Sequence, residues 1–285
     1  MDSKFVIFGQ ERAGTTSLIS ALNKNDRIVH EPLSSLTGDL DHNPRYAEII
    51  KQHKMIPDNL PASKNIPYFN KFNNIAEDND KLWDFLDSLF CTFDGVKHVW
   101  CTSSEEGNEN FICYCQAHGI KIIFQYRESA FYPAISWQLA NQVQVWQLGE
   151  NKENKGLVDS FNYTSLEEAP IKRRVAWYQK YLPHYHELLP PESIVSKYED
   201  LYGLSTYEER LVQFDKIVNY LDIEIDQNNV ENFLSTDRKV FGKKAYGKIP
   251  NYQEMFNKYG SEKIILWASI IISPGMLAGA IPYGT

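Results

Sequence analysis

Phe5-Val6-Ile7-Phe8-Gly9-Gln10-Glu11-Arg12-Ala13-Gly14-Thr15-Thr16-Ser17-Leu18 sets an apolar run, a glycine-bounded loop and a helix start in that order. The order predicts a buried strand feeding a tight turn whose backbone N–H groups, with the positive end of the helix dipole, converge on one anion. Gly9 and Gly14 stand at the G-x-x-x-x-G spacing of phosphate loops, yet Thr15 occupies the place where a nucleoside triphosphate site carries its lysine. With Arg12 inside the loop and no lysine to reach outer phosphates, the cradle suits a terminal phosphate better than a triphosphate with bound Mg²⁺.

Further apolar runs of strand length fall at 4–8, 28–30, 96–101, 121–126 and 193–197, with helical periodicity between most of them. That alternation predicts an α/β fold: a central parallel sheet covered by helices on both faces, with ligands bound beyond the carboxyl ends of the strands. Two polar stretches, 38–80 and 149–170, interrupt the pattern and read as functional insertions. Their aromatics (Tyr46, Tyr68, Phe69, Phe72, Phe161, Tyr163) either contact a ligand or pack the insertion itself, the commoner use.

The loop from Gly9 to Leu18 resembles the 5'-phosphosulfate loop of sulfotransferases that use 3'-phosphoadenosine 5'-phosphosulfate (PAPS), a pattern close to G-x-P-R-S-G-T-T-x-L. Arg12, Gly14, Thr15 and Thr16 match it; Glu11 replaces the usual proline, Ala13 the usual serine, and Ser17 a tryptophan that often stacks on adenine. The resemblance implies one three-layer, P-loop-like α/β domain over residues 1–285. It also implies that Ala13, Gly14, Thr15, Thr16 and Ser17 hold the 5'-phosphate while Arg12 stabilises the sulfuryl group. PAPS would be the cosubstrate and adenosine 3',5'-bisphosphate the product, with no metal.

A second landmark is Ile122-Ile123-Phe124-Gln125-Tyr126-Arg127, leading to Ser136-Trp137. An arginine at a strand's carboxyl end beside a helix serine can grip a phosphate. It resembles the family's 3'-phosphate motif, implying that Arg127 and Ser136 hold that group, although Ser136 lies one residue beyond the usual spacing and Ser129 is an alternative donor. Ser193-Ile194-Val195-Ser196-Lys197-Tyr198-Glu199-Asp200-Leu201 resembles a V-x-R-Y-E-D-L strand-to-helix element with Lys197 for arginine, where Glu199 and Asp200 suit a helix start. The segment from Arg238 to Met255, with Lys239, Lys243, Lys244 and Lys248, loosely resembles the basic loop that closes over the nucleotide.

Sulfuryl transfer needs a base for the acceptor's proton and donors for the departing oxygen. Val29-His30-Glu31-Pro32 leaves the second strand about twenty residues after Arg12, where several branches of the family place a catalytic glutamate. Glu31 is therefore the expected base and His30 its competitor, and strand alternation lets only one face the site. His184, His186 and His118 read as surface or capping positions.

At 285 residues and 43% hydrophobic content the chain can bury one sizeable core. A net charge of −8 argues against nucleic acid and leaves a small-molecule or carbohydrate acceptor as the expected partner, with self-association open. The first strand begins without a leader and the four cysteines read as free thiols, so a cytoplasmic location is expected. From Ile264 to Thr285 no residue is charged, but Pro274-Gly275 breaks the run, so a docked apolar tail or subunit contact is expected rather than a membrane span. Two other classes fit the loop: a nucleotide or small-molecule kinase with a degenerate phosphate loop, and a nucleotide-binding protein without turnover.

Overall fold

The structure is a computed structural model that describes residues 3–22, 27–32, 43–53, 78–146, 152–203, 206–234, 241 and 243–266. Five strands, β1 (Phe5–Gly9), β2 (Ile28–His30), β3 (Gly95–Val99), β4 (Lys121–Tyr126) and β5 (Ile194–Lys197), form one sheet in the order β2-β3-β1-β4-β5. Every pairing is parallel, with β1 between β3 and β4. Parallel neighbours need crossover connections, and helices on both faces supply them.

Side chains alternate across β1, and each half of the alternation enters a different core. Val6 and Phe8 pack with Val96, Ile122 and Phe124 beneath the helices Asn79–Thr92, Glu105–Ala117, Phe131–Val143 and Glu168–Leu188. Phe5 and Ile7 pack on the opposite face with Leu18, Ile19, Phe214, Ile217 and Phe233, from helix α1 (Thr15–Leu22) and the helices Tyr207–Leu221 and Gln227–Leu234. Strands buried on both sides read as continuous apolar runs, which is why their positions are visible in the sequence.

The expected ranges for β2 and β4 match the observed strands, that for β1 is shifted by one residue at both ends, and that for β5 starts one residue early. The third run differs more: the strand ends at Val99, and Trp100–Thr102 turns into a 3-10 helix. Pro183 lies inside Glu168–Leu188, where the helix continues through it. His184, about a third exposed, lies 2.8 Å from Glu109 of a neighbouring helix, so its surface position carries a cross-helix contact. All four cysteines are unpaired; Cys115 is buried and Cys113 exposed, as their two-residue offset on one helix requires.

Of the insertion aromatics, Tyr46 is buried and donates to the Pro32 carbonyl at 2.9 Å, while Tyr163 donates to the Val158 carbonyl at 2.9 Å. Tyr46 ties the first insertion to the exit of β2, and Tyr163 bonds within the second. Tyr68, Phe69, Phe72, Arg238, Lys239 and the chain beyond Leu266 lie outside the described residues. Among the described residues no helix is long and apolar enough to cross a membrane.

Candidate anion site at the carboxyl edge of the sheet

The chain leaves β1 toward β2 on one side and leaves β4 toward β5 on the other, so the crevice between β1 and β4 is the topological switch point of the sheet. The Gly9–Thr16 loop and Arg127 both emerge there.

Two glycines are required by contact. A Cβ on Gly9 would come within 2.2 Å of the Thr15 methyl, and one on Gly14 within 2.5 Å of the Tyr202 ring, at a φ of +79° that disfavours any side chain. Tyr202 also donates to the Gly14 carbonyl at 3.1 Å, so the helix after β5 buttresses the loop. The first bond of α1 runs from Leu18 N–H to the Gly14 carbonyl, 3.0 Å, which leaves the N–H groups of Thr15, Thr16 and Ser17 without intrahelical acceptors.

Arg12 takes φ +61°, a left-handed conformation uncommon outside glycine and enriched at functional sites. Its Nε donates to Ser136 Oγ at 2.9 Å and its guanidinium to the Trp146 carbonyl at 2.6 Å. Among the described residues it has no carboxylate partner. Burial lowers its pKa from the ordinary arginine value; the nearby Tyr246 and Tyr178 oppose that, and the Arg127 charge adds to it.

Arg127, 15% exposed, lies 4.1 Å from the centre of the Tyr198 ring and 5.1 Å from that of Tyr132. Glu199 Oε1 is 3.6 Å from its Nε, yet that buried nitrogen makes no hydrogen bond. Glu199 does more than favour a helix dipole: its Oε2 accepts from Glu128 N–H at 3.0 Å and so fixes the exit of β4. Tyr132 stacks on Tyr246, and Tyr246 lies parallel to Tyr252 at 5.5 Å, so a tyrosine wall stands beside the two guanidinium groups. Burial pushes the Tyr246 hydroxyl up to about 12, so it stays protonated.

Ser136 bonds Arg12 in this structure, and Ser129 Oγ accepts from Tyr132 N–H at 3.4 Å. One extra residue on a helix is a rotation of about 100°, which turns the hydroxyl toward the loop arginine. Glu11, where the resembled loop has proline, pairs with Arg174 and accepts from Tyr178 OH at 2.6 Å, while Arg174 lies 3.9 Å from the Trp137 ring centre. The loop is therefore braced by a polar lock to the helix Glu168–Leu188.

Glu31 follows β2 at φ +49°, so strand alternation stops at His30 and no longer decides between the two candidates. Its carboxylate pairs with Lys97 of β3, a lysine only 3% exposed, whose Nζ also donates to Thr16 Oγ1 at 3.0 Å. Burial pushes the Glu31 carboxyl up, but the Lys97 charge and hydrogen bond outweigh it and hold the group below the usual carboxylate range. His30 stands beside Lys97 in the β2–β3 ladder. Ala13 is buried under the loop, and Thr15 is buried against Gly9. Lys243 and Lys244 open the short helix Lys243–Tyr246, which carries Tyr246 to the tyrosine wall; their side chains lie outside the described atoms. Lys248 donates to the Asp159 carbonyl.

Lys97 is the principal site residue that the sequence reading passed over. Its signal was present: Lys97-His98 sits inside an apolar run, and a strand buried on both faces must give each polar side chain a partner. His98 takes the opposite face, where its Nε2 meets Asn108 Oδ1 at 2.6 Å and Asn108 donates to Tyr185 OH at 3.0 Å. Burial lowers the His98 pKa to about 4. An unfolded histidine titrates near 6.5. The unfolded chain therefore takes up a proton that the native state refuses, and stability is intact above that value and falls as pH drops toward 4. The loss between pH 7 and pH 4 is about 3 kcal/mol from this residue. Urea unfolding at the two pH values measures it, and a His98→Phe variant should flatten that part of the slope.

Compared with known proteins, the chain matches no family model, no curated protein and no solved structure. The chemistry of the site itself therefore carries any assignment.

Proposed function

We propose that the chain is a PAPS-dependent sulfotransferase. The observation that carries the reading is the meeting of two arginines at one crevice: Arg12 lacks a carboxylate partner among the described residues, and Arg127, with one carboxylate, that of Glu199, 3.6 Å from its Nε, keeps a buried N–H that makes no hydrogen bond. Two such cations side by side call for a ligand with two anionic groups. The free N–H groups of Thr15, Thr16 and Ser17 would take the 5'-phosphate and Arg127 the 3'-phosphate. Adenine, for which Ser17 offers no ring, would lie on Tyr132 and Tyr198, which are partly exposed.

Glu31 would accept the proton of the acceptor hydroxyl as its oxygen attacks sulfur. The bond from sulfur to the bridging oxygen breaks, and the charge leaves on adenosine 3',5'-bisphosphate, neutralised by Arg12 and Lys97. Lys97 bridges Glu31 and Thr16 in the resting protein. As charge develops on the bridging oxygen Lys97 would turn toward it, and Glu31, freed from the pair, would become the stronger base. Glu31→Gln is expected to lower kcat about 10²- to 10⁴-fold in transfer of labelled sulfate from PAPS, with nucleotide affinity nearly intact. Unchanged turnover would remove Glu31 from the chemistry.

A second reading, a kinase, draws on Lys97 and Glu31 beside Thr16, since a lysine, a carboxylate and a loop hydroxyl are the groups that serve a triphosphate and its Mg²⁺. It leaves the orphaned N–H of Arg127 without a purpose.

A further inference from the structure

We propose that Gln10 and Gln125 form a crossed clamp that fixes the distance between the two anion subsites and so selects ligands carrying two phosphate groups. The proposal rests on the reading of the site given above.

Gln10 belongs to the loop after β1, but its Oε1 accepts from the backbone N–H of Arg127 at the exit of β4, 2.9 Å away. Gln125 belongs to β4, but its Nε2 donates to the backbone carbonyl of Ala13 in the loop at 3.0 Å. Between them, Gln10 N–H donates to the Gln125 carbonyl at 2.9 Å. Each strand exit thus holds the backbone of the other, and the residue held is Arg127 itself in one case and the neighbour of both Arg12 and Gly14 in the other. Both side chains are fully buried.

The two amides bring no net gain in satisfied polar groups: Gln10 Oε1 and Gln125 Nε2 satisfy the Arg127 N–H and the Ala13 carbonyl, while Gln10 Nε2 and Gln125 Oε1 are themselves buried with no hydrogen-bond partner. What the amides supply is rigidity between the loop and Arg127. A ligand bound through one phosphate gains little from a fixed distance. A ligand bound through two has its second contact made intramolecular, and that gain is greatest when neither subsite must be moved into place.

The test compares adenosine 3',5'-bisphosphate, adenosine 5'-phosphate and adenosine 3'-phosphate on the full chain. Wild-type protein should bind the bisphosphate at least about tenfold more tightly than either monophosphate. Gln10→Met and Gln125→Met, near-isosteric changes, should each cut that advantage about fivefold or more while leaving each monophosphate within about twofold. Hydrogen exchange of the Arg127 amide in ligand-free protein gives a readout independent of nucleotide: it should speed up at least about tenfold in Gln10→Met and stay slow in Gln10→Glu, which keeps the accepting oxygen. Folded variants that retain the full bisphosphate advantage, or that weaken all three ligands equally, would overturn the clamp while leaving the site reading in place. Wild-type protein that binds none of the three overturns the site reading, and the clamp's role in selection with it.

Discussion

Arg12→Ala should weaken the hold on adenosine 3',5'-bisphosphate by about 2 to 3 kcal/mol, on the order of a hundredfold in Kd, while changing the unfolding free energy by less than about 1 kcal/mol. The two outcomes separate because Arg12 is poorly placed for stability. It occupies a left-handed φ of +61°, lies near the Arg127 charge, and spends its donors on one serine hydroxyl and the carbonyl of Trp146. Losing those bonds is offset by relief of buried like-charge repulsion in the ligand-free state. Once an anion arrives, the same guanidinium supplies charge-assisted bonds. Arg12→Lys should recover little of the affinity, since a point charge does not reproduce a fork that reaches Ser136 and a phosphate oxygen together. Calorimetric titration and urea unfolding of the same preparations measure both quantities.

Lys97→Met should have the opposite profile, with a loss of about 3 kcal/mol in stability at neutral pH. Lys97 is almost fully buried and its Nζ is shared between the Glu31 carboxylate and Thr16 Oγ1. Removing the ammonium leaves burial as the largest influence on Glu31, opposed only by the smaller pull of His30 and His98, so its carboxyl should move up and take up a proton more readily. The double variant Lys97→Met, Glu31→Gln removes the stranded charge and should regain most of the lost stability. A double-mutant cycle that shows no coupling between the two residues would mean that they do not act as a pair.

The sheet was legible because β1 and β4 are built on apolar runs and the other strands hold shorter ones, and the loop because two glycines meet contacts that exclude a side chain. Arg12, Arg127 and Glu31 were legible as polar residues placed where strands end. What escaped was the partner of each. Arg12 meets Ser136 across 124 residues, Lys97 meets Glu31 across 66, and Glu11 meets Tyr178 across 167, separations that no local pattern encodes. The Tyr198-Glu199 element resembles a strand-to-helix segment whose acidic residues suit a helix start, yet it touches Arg127 by ring face and by carboxylate, because β5 lies next to β4 in the sheet. Lys97 and His98 were visible as polar residues within an apolar strand. Only their faces, fixed by register with Ile7 and Phe8, tell that Lys97 meets Thr16 at the glycine loop and that His98 enters the core.

The central claim is that this crevice takes a nucleoside with two separate phosphate groups and needs no metal to do so. Isothermal titration of the wild-type protein with adenosine 3',5'-bisphosphate in the presence of a chelator, beside ATP with Mg²⁺, tests it directly. The account predicts one-to-one binding of the bisphosphate without metal and at least about tenfold weaker binding of ATP. Tight binding of ATP that requires Mg²⁺, with no heat from the bisphosphate, would contradict it.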